Sequence, residues 1–290
     1  MNQTTVILFV VSAVIIVYIC WQYWELTKFR VTHYRIAYEK ITQELRVVVI
    51  SDLHLKSFGK QNQRLLQAIR QQQPDLICIP GDIITSMEIS KYNIAEQLTG
   101  ELVQIAPVYF SNGNHESRVE LTDSKVYQEY QQLKKVMIHQ GVHILNNQME
   151  TVQIHGQTIQ IYGVEIDLAC YQKGKKIPLQ PDFLENQFGK ADADHFCLML
   201  AHNPAYMKQY TGWGADLCLS GHYHGGLVCI PGIGSLISPQ FQFFPKYSTG
   251  QWDFGKRHGV TSRGLGTHTF HIRIFNRAEL PVLHILPENH

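Results

Sequence analysis

Five apolar segments of this chain end alike: an aliphatic run stops, and side chains able to bind a metal follow at once. "RVVVISDLHL" delivers Asp52 and His54, "DLICIPGDII" delivers Asp82, and "PVYFSNGNHE" delivers Asn114 and His115. "HFCLMLAHNP" delivers His202, and "ADLCLSGHYHGG" delivers His222 and His224. Short continuous Val/Ile/Leu runs are expected of strands buried on both faces. In open α/β sheets, ligands gather just outside the carboxyl ends of such strands. The feature therefore narrows the fold to a layered α/β architecture with its chemistry along one edge. In "DLH" and "HYH" the first and third side chains of an extended backbone project to one side, so each tripeptide is expected to aim two ligands at one point.

Between these runs, "KQNQRLLQAIRQQQ" has helical apolar spacing and is stopped by Pro74. "ISKYNIAEQLTGEL" and "DSKVYQEYQQLKKVMIHQGV" also read as helices. The second half is richer in strands. "HILNNQMETVQIHGQTIQIYGVEI" looks like strands joined by Asn-Asn and His-Gly turns, and "HTFHIRIFNRAELPVLHILP" is strand-like. The pattern predicts an α/β fold of two packed mixed β-sheets flanked by helices.

One segment lies outside that pattern. "TVILFVVSAVIIVYICWQYW", residues 5–24, carries no charged side chain and is long enough to cross a hydrocarbon core of ~30 Å. Trp21, Tyr23 and Trp24 close it with aromatic rings suited to the headgroup zone. No Lys or Arg precedes it and no small-x-small cleavage pattern follows, which favours a retained transmembrane helix over a cleaved signal peptide. Lys28, Arg30 and Arg35 come after the span, so the positive-inside rule puts the following domain on the cytoplasmic side. The expected organisation is a single-pass cell-membrane anchor at 1–24, a juxtamembrane segment with a first strand at 25–45, and a catalytic domain at 46–290.

Composition bears on the chemistry. A net charge of +1 gives no electrostatic argument for nucleic acid, so no nucleic-acid partner is expected, and a nuclease is kept as an alternative. The residues name no protein partner. The cysteines form no CxxC pair, and Cys78, Cys197 and Cys218 sit inside apolar runs, which argues against disulfides and thiolate zinc. The ligand set is imidazole, carboxylate and amide. It suits two divalent ions of the Mn, Fe, Zn, Ni or Co kind better than Ca. It is too large for one tetrahedral ion and fits two ions sharing a bridging carboxylate, the arrangement that clamps both oxygens of a phosphoryl displacement. Taken singly, each motif is a polar turn; "HNP" could simply start a helix, with Asn203 as cap and Pro204 in its first position. Their joint occurrence favours a metal site.

In this order, "SDLHL", "GDII", "GNHE", "AHNP" and "GHYHGG" resemble the calcineurin-like metallophosphoesterase superfamily over about residues 46–290. "VTSRGLGTHTFHIRIFNRAEL" also resembles the C-terminal signature of its membrane-anchored branch of small bacterial phosphoesterases. The resemblance implies a four-layer sandwich in which Asp52, His54 and His224 hold one ion, Asn114, His202 and His222 hold the other, and Asp82 bridges them. It gives His115 the role of protonating the leaving group or steadying transition-state charge, with a hydroxide between the ions as nucleophile. The implied substrates are phosphoesters or pyrophosphates, lipid-linked or in the cell envelope, such as UDP-diacylglucosamine-type compounds. A non-catalytic metal-binding membrane scaffold is the competing class.

Gly221, Gly225 and Gly226 would let the backbone bend close to the ions. Tyr223 stands where that branch has threonine, Leu227 where it has glutamine and Ala278 where it has proline. Three features stay open at this stage. Glu116 could orient its turn; Glu165 and Asp167 could line the pocket or be solvated; and "FQFFPKY" (241–247) could dip toward a bilayer, cover an apolar substrate tail or pack in the core.

Overall fold

The computed structural model describes residues 2–288 except 87, 123–124, 176, 227, 231–233, 239 and 268–270. The chain opens with helix α1 (Gln3–Thr27) and passes directly into strand β1 (Phe29–Tyr38). The next elements are β2 (Leu45–Val49), α2 (Gln63–Gln72), β3 (Leu76–Ile79), α3 (Tyr92–Leu102), β4 (Val108–Phe110), α4 (Asn114–Glu120), α5 (Lys125–Gln140) and β5 (Val142–Ile144). The second half contributes β6 (Gln148–Ile154), β7 (Gln157–Val164), α6 (Phe183–Phe188), β8 (Phe196–Ala201), α7 (Met207–Trp213) and β9 (Leu217–Ser220). A hairpin, β10 (Val228–Ile230) and β11 (Gly234–Ile237), precedes β12 (Gly250–Phe254), β13 (Arg257–Thr261) and the closing strand β14 (Ala278–Pro287).

Two mixed six-stranded sheets result, ordered β1-β14-β2-β3-β4-β5 and β12-β13-β9-β8-β7-β6. β2 to β5 run parallel, as do β7, β8, β9 and β13. β14 returns antiparallel to β2 and carries β1 on its other side. The first strand expected within 25–45 spans residues 29–38 and forms the edge strand of the first sheet.

Side-chain alternation explains the continuous apolar runs. Val47 and Val49 face the second sheet, meeting Leu198, Leu200, Leu217 and Leu219 in the core between the sheets. Val48, Ile77 and Ile79 face the other way, onto Leu65, Leu66 and Ile69 of α2 and Leu98 and Leu102 of α3. Cys197, Met199 and Cys218 likewise face Met207 and Tyr210 of α7. Each central strand therefore needs apolar residues at every position, and the layers stack helix, sheet, sheet, helix. The cysteines among the described residues are free, and all but Cys20 are buried.

Two expectations are corrected. The C-terminal strand spans only Ala278–Pro287. Residues 271–277 do not extend into it, because Phe275 has φ 50° and the side chains of Arg273 and Asn276 turn inward to bind backbone carbonyls. The "DLH" and "HYH" tripeptides are not extended either: Asp52, His54, His222 and His224 have φ of 50°, 49°, 67° and 51°. Their strands stop at Val49 and Ser220, and the ligands sit in left-handed turns beyond.

α1 is long and apolar enough to cross a membrane, with a mean hydropathy of 2.5 over its most apolar window. Its last turns touch the domain. Gln22 and Glu25 are buried there, Glu25 pairing with Arg277 at 2.6 Å.

Candidate metal centre

The turns that follow β2, β3, β4, β8 and β9 meet at one end of the sandwich, and each brings ligand-type side chains to it. Ligand atoms of Asp52, His54 and His224 lie within 4.8 Å of one another, as do those of Asp82, His202 and His222, and those of His54, Asp82 and His115. All these residues are buried. Asn114, the first residue of α4, is buried with them, and its Oδ1 accepts no hydrogen bond. Asp52, His54, Asp82, His115, His202, His222 and His224 thus fall into three overlapping groups that share His54 and Asp82.

The imidazoles are fixed by the atoms behind them. Nδ1 of His54 lies 3.2 Å from Ile84 O, Nδ1 of His202 lies 2.8 Å from Pro80 O, and Nδ1 of His224 lies 3.2 Å from Gly266 O. A carbonyl only accepts, so each Nδ1 carries the hydrogen and each Nε2 turns a lone pair inward when the ring is neutral. The Nε2 atoms of His54 and His224 then face each other at 3.2 Å. Two lone pairs at that distance repel; a cation coordinated by both nitrogens removes the conflict. With the amide oxygen of Asn114, this donor set fits borderline divalent ions.

The electrostatics agree. Burial pushes the Asp52 carboxyl up to about 6, with His202 opposing and Asp82 adding to the rise. Burial also works to raise Asp82, but the imidazoles of His202, His115 and His54 outweigh it and hold that carboxyl well below the usual range. For His202 burial is outweighed in turn by Asp82, 3.1 Å from its Nε2, and the ring is pushed up to about 9. That shift favours a proton on His202 facing Asp82, and a divalent cation held by these residues would take its place.

Backbone and hydroxyl donors hold the carboxylates in place. Asp52 accepts from the amide of His222 at 2.8 Å and from Ser51 Oγ at 2.5 Å, and Asp82 accepts from the amide of His115 at 2.9 Å. Gly221 must lack a side chain, since a Cβ would stand 1.9 Å from Ser51 Oγ and 2.2 Å from Asp52 Oδ2. His115 differs from the other rings. Its Nδ1 accepts from the Ser86 amide at 3.1 Å, so Nε2 carries the hydrogen.

Several functional positions were weak or silent in the sequence. Glu116, considered only as a brace for its own turn, is fully buried and ties two ligand loops together: it accepts from Asp82 N and Gly113 N, each at 2.9 Å, and from Ile84 N at 3.1 Å. Burial, with the Asp82 charge, pushes its carboxyl up to about 8 against the pull of those donors. Arg273 is 1% exposed and donates to the carbonyls of Arg263, Gly264, Gly266 and Asn276. Asn276 donates to His224 O and Gly226 O, both at 2.5 Å. The signal was the "RIFNR" segment, read as strand. Tyr171 sets its ring edge-on to His222 at 4.9 Å.

Glu165 braces Asn112 and Ser117, and Asp167 caps a turn at Ala169. Tyr223 is 1% exposed and donates to Gln242. Ala278 is buried at the start of β14. Leu227 lies outside the described residues.

Known proteins share this pattern. The calcineurin-like phosphoesterase family profile matches residues 45–226. The metallophosphoesterase YkuE of Bacillus subtilis is 26% identical over 252 residues, covering 84% of this chain and 80% of its own. Phosphodiesterase YaeI of Escherichia coli is 26% identical over 262 residues, covering 89% and 88%. A zebrafish transmembrane protein with a metallophosphoesterase domain is 27% identical over 73% of this chain, which matches 48% of that protein. Among solved structures, the sulfate thiohydrolase SoxB of Thermus thermophilus superposes with a TM-score of 0.50 at 14% identity, over 78% of this chain and 53% of its own, a likeness of fold alone. The five motifs, the clustered ligands and the family match make the chain a metal-dependent hydrolase that takes two divalent ions, a member of the calcineurin-like phosphoesterase family.

Proposed function

We propose that this chain is a membrane-anchored phosphoesterase that hydrolyses a phosphodiester, phosphomonoester or pyrophosphate bond in a lipid-linked or envelope compound. Asp52, His54 and His224 would hold one ion, Asn114, His202 and His222 the second, and Asp82 would serve both. Two divalent ions there supply Lewis acidity and bring the pKa of a water toward ~7. The remaining work falls to the chain. Asp82 is kept ionised by the surrounding imidazoles, which suits a carboxylate shared between cations. Glu116 keeps the loops of Asp82 and Asn114 in register.

The carrying observation is the tautomer of His115. With Nδ1 accepting from the Ser86 amide, Nε2 of the neutral ring carries the hydrogen, the atom a leaving-group acid or a donor to phosphoryl oxygen uses. A scaffold that only bound metal would have no use for that arrangement. The Escherichia coli relative is named a phosphodiesterase, which supports a diester as first substrate. α1 supports the anchor, and Lys28, Arg30 and Arg35 beyond it favour a cytoplasmic domain.

The test is release of p-nitrophenol from bis(p-nitrophenyl) phosphate by the full chain in detergent with added Mn²⁺. Asp82→Ala is expected to lose metal and turnover together. His115→Asn is expected to keep the metal and lose about 10²–10⁴-fold in kcat. Unchanged turnover in His115→Asn would remove its assigned role, and metal binding without any release would favour the scaffold.

A further inference from the structure

Among the described residues, a group of exposed aromatic side chains near the metal centre is left unused by phosphoester hydrolysis. Phe241, Phe243 and Phe244 are 46%, 76% and 66% exposed, and Ile272 and Phe275 are 41% and 61% exposed. Their exposure excludes core packing for the three phenylalanines of "FQFFPKY", whereas Tyr247 at its end does pack in the core. Phe241, Phe244 and Phe275 also have φ of 60°, 46° and 50°, a region bulky side chains rarely enter. The loop of Phe241–Phe244 is tied to the site through Gln242, which accepts from Tyr223, the residue between His222 and His224.

The anchor arrives at this same end. Trp21 packs on Phe275 with ring centroids 5.4 Å apart, and the Arg277 guanidinium lies 3.8 Å from the Trp24 ring centre. Gln22 exchanges hydrogen bonds with the backbone of Arg273 at 3.0 and 3.2 Å. A single buried side chain then leads to the ligands: Arg273 donates to Gly266 O at 2.7 Å, the carbonyl that also receives His224 Nδ1. At 1.5 Å per residue, Trp21 lies about 27 Å along α1 from Gln3, close to a hydrocarbon thickness. In a spanning helix these last turns sit at headgroup level, and Phe275 with them.

We propose that this aromatic rim rests in the membrane interface, so that the metal centre opens onto the bilayer surface and takes phosphoesters whose phosphate lies at headgroup depth. The inference rests on the membrane-anchor reading above and adds the orientation of the domain and the source of its substrate. Apolar rings at an interface gain from leaving water, and cations beside them gain from anionic headgroups. Lys173 lies 5.0 Å from the Phe241 ring centre and Lys246 5.1 Å from that of Tyr247, so the rim carries both.

The experiment uses the full chain with Cys20→Ser, since the other thiols are buried. Phe243→Cys, Phe244→Cys or Ile138→Cys is then labelled with a nitrobenzoxadiazole probe and reconstituted into phosphatidylcholine/phosphatidylglycerol vesicles. Ile138 is 58% exposed in the last turn of α5, at the opposite end of the strands. Doxyl-labelled lipid is expected to quench the probes at 243 and 244 at least about threefold more than at 138. Equal quenching at all three positions overturns the proposal. So does shielding at 243 that depends on protein concentration and not on doxyl lipid, because the rim would then meet a second protein. Wild-type release of p-nitrophenol is measured in the same vesicles. Release without quenching at 243 rejects the orientation and leaves the hydrolase standing; quenching without release does the reverse.

Discussion

Replacing Glu116 by Gln tests whether one buried carboxylate holds two ligand loops together. Above about pH 8, where the group is ionised, the fully buried carboxylate accepts three backbone N–H groups, from Asp82, Ile84 and Gly113. Gln has the same shape but only one acceptor atom. If its oxygen takes the Asp82 and Gly113 amides, its NH₂ faces the Ile84 amide; if it is turned over, the NH₂ faces the other two. At least one buried donor is left unmet in either case, at a cost of about 1–3 kcal/mol. A protein of this size loses about 2–4 °C of melting temperature per kcal/mol, so Glu116→Gln should melt ~5 °C lower in detergent. Glu116→Ala leaves all three amides unmet and should cost about 3–6 kcal/mol. Because Gly113 and Asp82 flank or supply ligands, Mn²⁺ affinity measured by calorimetry should fall at least about 10-fold in Glu116→Gln. A Gln variant that melts and binds Mn²⁺ like wild type would refute the reasoning, since nothing would then depend on the carboxylate's acceptor count.

Three further outcomes follow from the geometry. Removing metal with EDTA leaves Asp52 and Asp82 buried side by side; saturating Mn²⁺ should raise stability by about 4 kcal/mol at a thousand times Kd, read as a melting shift of ~10 °C. Gly221→Ala should abolish metal uptake, measured by elemental analysis of the purified chain, because its Cβ would be forced to within 2.2 Å of Asp52 Oδ2. Burial holds His258 below the ordinary imidazole range, the Asp253 charge opposing. The folded state thus prefers the neutral ring, and its contribution, intact above the unfolded value of about 6.5, is lost as pH falls through that value. Melting temperature should drop as pH is lowered from about 7 to 5.5, and less so in His258→Gln.

Legibility differed between fold and site for physical reasons. Central strands buried on both faces must be apolar throughout, as Val47 to Val49 and Leu217 to Leu219 are, so their positions show in composition alone. The candidate ligands stood out because imidazole and carboxylate at strand ends have few other uses in such number. The direction of those side chains did not show. Period-two reasoning assumed an extended backbone, whereas the chain turns left-handed at Asp52, His54, Asp82, His222 and His224. Nor did Glu116 or Arg273 stand out. Each acts on backbone amides or carbonyls of residues far along the chain, and no local spacing records such a contact.

The left-handed ligands and the buried Arg273 account for each other. A non-glycine residue in that region costs on the order of 1 kcal/mol or more, and five such residues in one site persist only if their surroundings over-determine them. Besides bonds within the set, such as His54 N to Asp82 O, several of the hydrogen bonds that do so come from outside it. Asp52 O accepts from the Gly266 amide, and Asn276 binds the carbonyls of His224 and Gly226; Arg273 in turn holds the carbonyls of Gly264 and Gly266. The loop that carries the glycines must lie flat on the site, since a Cβ on Gly266 would stand 2.0 Å from Leu53 O. The C-terminal segment is therefore a clamp on the metal loops. Its outer side is the surface that α1 grips through Gln22 and Glu25. One short stretch of sequence, silent as a strand prediction, thus both braces the candidate ligands and fixes how the site is placed relative to α1.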